Sequence, residues 1–168
     1  MGKHFDIGYF KKPVKVRAKV AKKRTVINKI HAWELSKEYY DGSRLNGYGG
    51  FKYDGRWKKL LPKIIKKYKL TKNSKVLDLG CKKGFLLKDF NILIPGIKSY
   101  GIENHSYALK KVVKCKSKLI KSEYYKIPFK KKYFDFVIAH NSLYMQNLGD
   151  VIKSLKEIER VAKKVMYF

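Results

Sequence analysis

The chain has 168 residues, 45% of them hydrophobic and 14% aromatic, which is enough for one packed domain with an N-terminal extension. Its 41 basic and 13 acidic residues leave a net charge of +28, a field that draws RNA, DNA or acidic lipid at low salt. No apolar run nears the roughly 20 residues of a membrane span.

The start of the chain, Met1-Gly-Lys-His-Phe-Asp6, has no charged-then-apolar signal layout, so a cytoplasmic protein is expected. Cys81 and Cys115 lie far apart and lack flanking histidines, so neither a disulfide framework nor a metal site is expected. Only five basic residues are arginine: Arg17, Arg24, Arg44, Arg56 and Arg160. Base readout favours the bidentate arginine, and AT-rich coding also yields lysine-rich chains. The charge therefore fits a lysine-coated surface as well as a nucleic-acid footprint.

Residues 1–56 read as a basic extension followed by a Tyr/Gly-rich segment, and residues 57–168 as the main domain. The alternation from Val14 to Val20 admits a strand, but its low apolar content favours an arm that orders against a partner. Ile27, Ile30, Trp33, Leu35 and Tyr39 suggest a short amphipathic helix over 27–40. Residues 39–57 repeat Tyr-Asp-Gly at 40–42 and 53–55, each followed by an arginine, among turn-forming Asn-Gly and Asp-Gly pairs. Such a loop either lays tyrosine rings over a ligand or is purely structural.

Trp57, Leu60, Leu61, Ile64, Ile65 and Tyr68 share one helical face, with Pro62 kinking the helix or starting it. Val76, Leu77 and Leu79 form an apolar strand around Asp78. Gly80 and Gly84 bracket a tight turn, and Phe85-Leu86-Leu87 begins a helix, which together make the first unit of a βαβ nucleotide site. The dinucleotide fingerprint needs glycines where Gly80, Lys82 and Phe85 stand, so it fails, and a P-loop is absent too.

A strand at Ser99–Ile102 ends in Glu103, 19 residues beyond Gly84. That spacing suits an acidic residue accepting two hydrogen bonds from a ribose diol. A helix at 106–113 and a strand at 118–120 follow. Tyr133–Ser142 is the best strand, and its end delivers Ala139, His140 and Asn141 to the crevice where open α/β sheets bind ligands. Asp150 is the expected N-cap of a helix over 151–162, and 164–168 the last strand.

These motifs resemble those of class I S-adenosylmethionine (SAM)-dependent methyltransferases, type 11-like. Asp78, Gly80 and Gly84 match Asp-x-Gly-x-Gly-x-Gly, with Lys82 replacing the middle glycine. The run from Gly101 to Leu109 resembles Gly-Ile-Asp-x-Ser-x-x-Ala-x, and Ser122–Pro128 resembles Gly-Asp-Ala-x-x-Leu-Pro. Phe134–Val137 matches Phe-Asp-x-Val. The segment 39–57 is similar to one preceding the catalytic domain in a group of bacterial methyltransferases, which implies a lid.

The resemblance implies an α/β, Rossmann-like methyltransferase fold with a mostly parallel sheet of about five strands flanked by helices. It lacks the C-terminal hairpin of the usual seven-stranded sheet, so either the copy is truncated or a dimer partner or the N-terminal arm covers strand five. It also implies SAM as cofactor. Asp78 and the backbone from Gly80 through Cys81 to Gly84 would hold its amino-acid end, Glu103 the ribose, and Glu123 and Tyr124 the adenine, with Asn104 also at the cofactor. His140, Asn141 and Tyr144 would face the acceptor, with His140 also beside the cofactor. Three functions are open: methylation of a small-molecule or lipid- or sugar-linked acceptor, RNA modification through the lysine surface, or non-catalytic binding by a truncated relative.

Overall fold

The computed structural model describes residues 22–167. The strand or arm expected before residue 21, and Phe168 at the end of the last strand, lie outside them. The described residues divide into two compact units, one ending at Asp54 and the other beginning at Gly55.

In the N-terminal unit, helix α1 spans Val26–Trp33 and α2 spans Lys37–Asp41. The single helix expected over 27–40 is therefore two. Leu35 adopts a left-handed backbone (φ 50°) that ends the first helix, and Ser36 stands at the N-cap position of the second. Thr25 and Asn28 form a reciprocal capping box at the start of α1. The tyrosines of the glycine-rich segment turn onto one another. Tyr48 stacks on Phe51 with centroids 4.1 Å apart, and Tyr39 meets Tyr40 and Tyr48 edge-on at 5.0 and 5.1 Å. Arg44 Nη1 donates to the Gly47 carbonyl, closing the loop.

The second unit opens with a 3-10 turn at Arg56–Lys59, followed by α3, Leu61–Tyr68. Pro62 sits at its first turn, where a missing N–H costs nothing, so the helix begins there rather than kinking. Five strands follow: β1 Lys75–Leu79, β2 Lys98–Glu103, β3 Lys118–Lys121, β4 Phe136–Ala139 and β5 Val165–Tyr167. Helices α4 (Phe85–Leu93), α5 (Ser106–Lys110) and α6 (Leu148–Val161) connect them. All pairings are parallel, in the order β3-β2-β1-β4-β5. The order reverses between β1 and β4, the switch point where sheets of this kind bind ligands.

Both sheet faces are covered, which is why β1 and β4 read as nearly unbroken apolar runs. Leu77, Leu79, Ile102, Val137 and Ala139 join Ile158 and Val161 of α6 in one core. On the other face Tyr68 packs on Phe136, with centroids 4.5 Å apart. Gly101 lets α4 approach, because a Cβ there would meet Leu87 Cδ1 at 2.7 Å and Cys81 Sγ at 2.6 Å.

Two local expectations change. Strand β4 is shorter than the run 133–142, since Asn141 turns left-handed (φ 49°) two residues after it ends. The N-cap of α6 is Asn147, not Asp150. Asn147 Oδ1 accepts the Asp150 N–H at 2.9 Å, and Asp150 Oδ2 accepts from Asn147 Nδ2 at 2.7 Å. Asp135, beside the start of β4, accepts the Lys75 N–H at 2.8 Å and the Lys163 ammonium at 2.8 Å. It fastens the end of the sheet remote from the crevice.

Arg160 holds the loop between β3 and β4 against α6. It donates to the carbonyls of Phe129 (2.7 Å) and Ile127 (2.8 Å) and grips Glu157 through Nε and Nη2. Glu157 in turn accepts the Ile127 N–H at 3.0 Å. Arg160→Ala removes this clamp from a partly exposed site and will lower stability by about 2 kcal/mol, read as a reduced urea midpoint. Arg160→Lys will recover less than half of the loss, because an ammonium cannot reproduce the planar fork.

Candidate functional site

The ends of β1, β2 and β4 meet at the switch point, and residues after each supply the site. Beyond β1 the chain doubles back: the N–H groups of Gly80 and Cys81 both donate to the Ile102 carbonyl, at 2.8 and 3.1 Å. Gly84 N–H then donates to Cys81 O at 2.8 Å and leads into α4. Gly80 has φ +78°, and a Cβ there would lie 2.4 Å from Ser142 Cβ, so only glycine fits. Lys82, in place of the middle glycine, takes the left-handed backbone itself (φ 52°). Its N–H does not face solvent; it donates to Glu103 Oε2 at 2.9 Å.

Glu103 is the hub, only 1% exposed. Oε2 accepts from Lys82, while Oε1 accepts the His105 N–H at 3.0 Å and the Tyr124 hydroxyl at 3.1 Å. Tyr124 reaches it from the loop after β3 with its ring sunk in the core beside Leu79 and Ile127. Asn104, next to Glu103, donates through Nδ2 to Glu123 Oε2 at 3.3 Å. Asp78 is buried inside β1, and desolvation pushes its carboxyl up to about 7, with Lys82 opposing and Glu103 adding to the rise. Burial, then the neighbouring Asp78 and Glu103 carboxyls, push the Cys81 thiol well up, so it is a packing group and not a thiolate.

At the end of β4, His140 meets Trp57 edge-on with ring centroids 4.9 Å apart. Asn141 Nδ2 lies 3.3 Å from His140 Nε2. The register Leu79↔Ala139 sets these residues next to the glycine turn. Tyr144 lies further along the loop, 61% exposed. Thus Asp78, Gly80, Cys81, Glu103 and Tyr124 converge, Asn104 pairs with Glu123 at their side, and His140 with Asn141 lines the β4 end.

Among the described residues, Ser142 Oγ, above Gly80, and Asn104 Oδ1, in the residue that donates to Glu123, are buried without a hydrogen-bond partner. Buried orphans are rare and point to a ligand that would satisfy them. Ser142 and Trp57 escape the sequence reading, Ser142 because no motif includes it and Trp57 because its spacing marks it as core. Among the described residues no helix is long and apolar enough to cross a membrane.

The methyltransferase-domain family profile matches residues 77–167, more than half of the chain. No curated protein matches by sequence. Among solved structures, a protein of Pyrococcus horikoshii OT3 is similar at 23% identity and a TM-score of 0.57, over 80% of this chain and 64% of its own. A SAM-dependent methyltransferase from Aquifex aeolicus is similar at 25% identity and a TM-score of 0.51, over 67% of this chain and 69% of its own. The [4+2]-cyclase SpnF is similar at 20% identity and a TM-score of 0.56, over 66% of this chain and 44% of its own. The chain thus spans from under half to about two thirds of these structures' lengths.

Proposed function

The chain belongs to the methyltransferase-domain family, and from that premise we propose that it moves a methyl group from SAM to a small-molecule or lipid- or sugar-linked acceptor. The observation that carries this reading is the Glu103 carboxylate. It stands at the end of β2, held by two backbone N–H groups and facing a glycine turn. A carboxylate so placed suits a ribose diol, and the orphaned Ser142 Oγ and Asn104 Oδ1 offer further polar partners to an adenosyl ligand. The donor set fits SAM.

When bound, SAM supplies a methyl group activated on a sulfonium centre. The chain's own residues then align the acceptor and exclude water. Glu103 would accept the ribose hydroxyls. Asp78 and the backbone from Gly80 to Gly84, with Cys81 packed beneath, would hold the amino-acid end. Asn104 Oδ1 and Glu123 would accept from the adenine amino group, beside Tyr124. His140, braced by Trp57 and Asn141, would take the proton that the acceptor loses, and Tyr144 would meet the acceptor at the mouth of the crevice.

The test is a thermal shift with SAM, followed by mass spectrometry for methylated products in small-molecule and RNA pools. A 100-fold excess over Kd should raise the unfolding midpoint by about 5–10 °C. A folded protein that neither gains stability with SAM nor binds it in calorimetry would reject the reading.

A second reading, RNA modification, draws on the net charge of +28 and on Lys75, Lys98 and Lys118, which crowd neighbouring strand starts. Salt-dependent RNA binding that supports turnover would favour it over a small acceptor.

A further inference from the structure

A carboxylate offers about four lone-pair positions. In Glu103 three are occupied, by Lys82 N–H on Oε2 and by His105 N–H and the Tyr124 hydroxyl on Oε1. A ribose diol needs two, so one of the three donors must leave before both ligand hydroxyls can bind. The Lys82 and His105 donors are backbone groups. One is set by the left-handed turn after β1, the other by the N-cap position of α5, and neither can withdraw without remodelling its loop. Only the Tyr124 hydroxyl belongs to a side chain.

Its position points the same way. The hydroxyl oxygen lies 3.3 Å from where a Cβ on Gly80 would sit, over the glycine turn and inside the crevice. Tyr124 is only 5% exposed and Glu103 1%, so the hydroxyl–carboxylate contact lies out of bulk water. The corresponding place in the motif it resembles holds a small residue, which could not reach Glu103.

We propose that the Tyr124 hydroxyl stands in for a ribose hydroxyl on Glu103, so that an adenosyl ligand gains its full contact with this carboxylate only by displacing it. The inference rests on the SAM reading given above. Tyr124 is then a built-in competitor that sets how tightly adenosyl ligands are held and narrows the margin by which an intact diol is preferred over a ligand that lacks one.

Tyr124→Phe removes the competing oxygen while keeping the ring in the core, and its unfolding midpoint, measured alongside wild type, reports that the fold is kept. Calorimetry would use S-adenosylhomocysteine and its 2′,3′-dideoxy analogue on both proteins. The variant should bind S-adenosylhomocysteine about three- to tenfold tighter, the range of one net hydrogen bond, and the dideoxy analogue no tighter. Wild type binding S-adenosylhomocysteine with the variant equal or weaker would overturn the inference alone, since Tyr124 would then be holding Glu103 in place. An equal gain for the dideoxy analogue would overturn it as well. Absence of binding by both folded proteins would instead remove the SAM reading and this inference with it.

Discussion

Glu103→Gln will weaken SAM binding about 100-fold while leaving the sheet intact. Glutamine keeps the size of the side chain but replaces one acceptor oxygen with an NH2 group, and charge-assisted hydrogen bonds are about twice as strong as neutral ones. Losing one such bond and setting an NH2 against a donor costs about 2–4 kcal/mol, and each 1.4 kcal/mol is a factor of ten. The same change opposes an NH2 to the N–H of Lys82 or of His105, both of which now donate to the carboxylate. The unfolding midpoint should therefore fall together with the affinity. Glu103→Ala would leave three donors without an acceptor, so glutamine is the cleaner test. Calorimetry on folded Glu103→Gln decides it: unchanged SAM affinity would sink the ribose assignment.

The second large effect is a pH dependence set by Asp78. In the unfolded chain its carboxyl releases its proton near pH 3.9. In the fold, desolvation pushes that release up to about 7. Between these two values the folded state holds a proton that the unfolded state has lost, so stability falls as pH rises from about 4 to about 7 and levels off above. The gap bounds the loss at about 4 kcal/mol, at 1.36 kcal/mol for each pKa unit.

Urea midpoints from pH 4 to 8 will show this slope in wild type and lose most of it in Asp78→Asn, which mimics the neutral carboxyl. A wild-type curve that is flat or rises over that window would contradict it. If Asp78 holds the cationic amino-acid end of SAM, binding must draw its proton off. Affinity should then climb with pH toward 7, by up to about tenfold per pH unit below it.

How much of this was legible beforehand differs from element to element. The glycine turn was readable because Gly80 and Gly84 both need φ above zero (+78° and +74°), a demand that local chemistry writes into residue identity. Pro62 marked a kink or a start in the helical pattern from Trp57 to Tyr68, and the fold takes the start, with the proline in the first turn of α3. A mostly parallel sheet of about five strands was implied by the resemblance of the motifs, whereas the order β3-β2-β1-β4-β5 is a finding of the fold.

The misreadings were local competitions between near-equal options. The expected helix over 27–40 broke at Leu35, a residue that carries no breaker signal. Asn147 and Asp150 are both good caps, and the chain uses the first while the second bonds back to it.

The amino-acid order by itself therefore determined the elements, the glycine turn and the placing of Glu103 at the end of a strand. Each depends on backbone demands and on periods of two or 3.6 residues that neighbours in the chain reveal. Only the tertiary structure decided what Glu103 is bonded to. Tyr124 is 21 residues away, and its hydroxyl arrives because β3 packs beside β2 and the core holds its ring upright. The same holds for Ser142 above Gly80, a meeting between the ends of β4 and β1. Hydrogen bonds reach about 3 Å in space regardless of separation along the chain. Which donors a buried carboxylate collects is therefore set by strand order and register, and no local pattern records it.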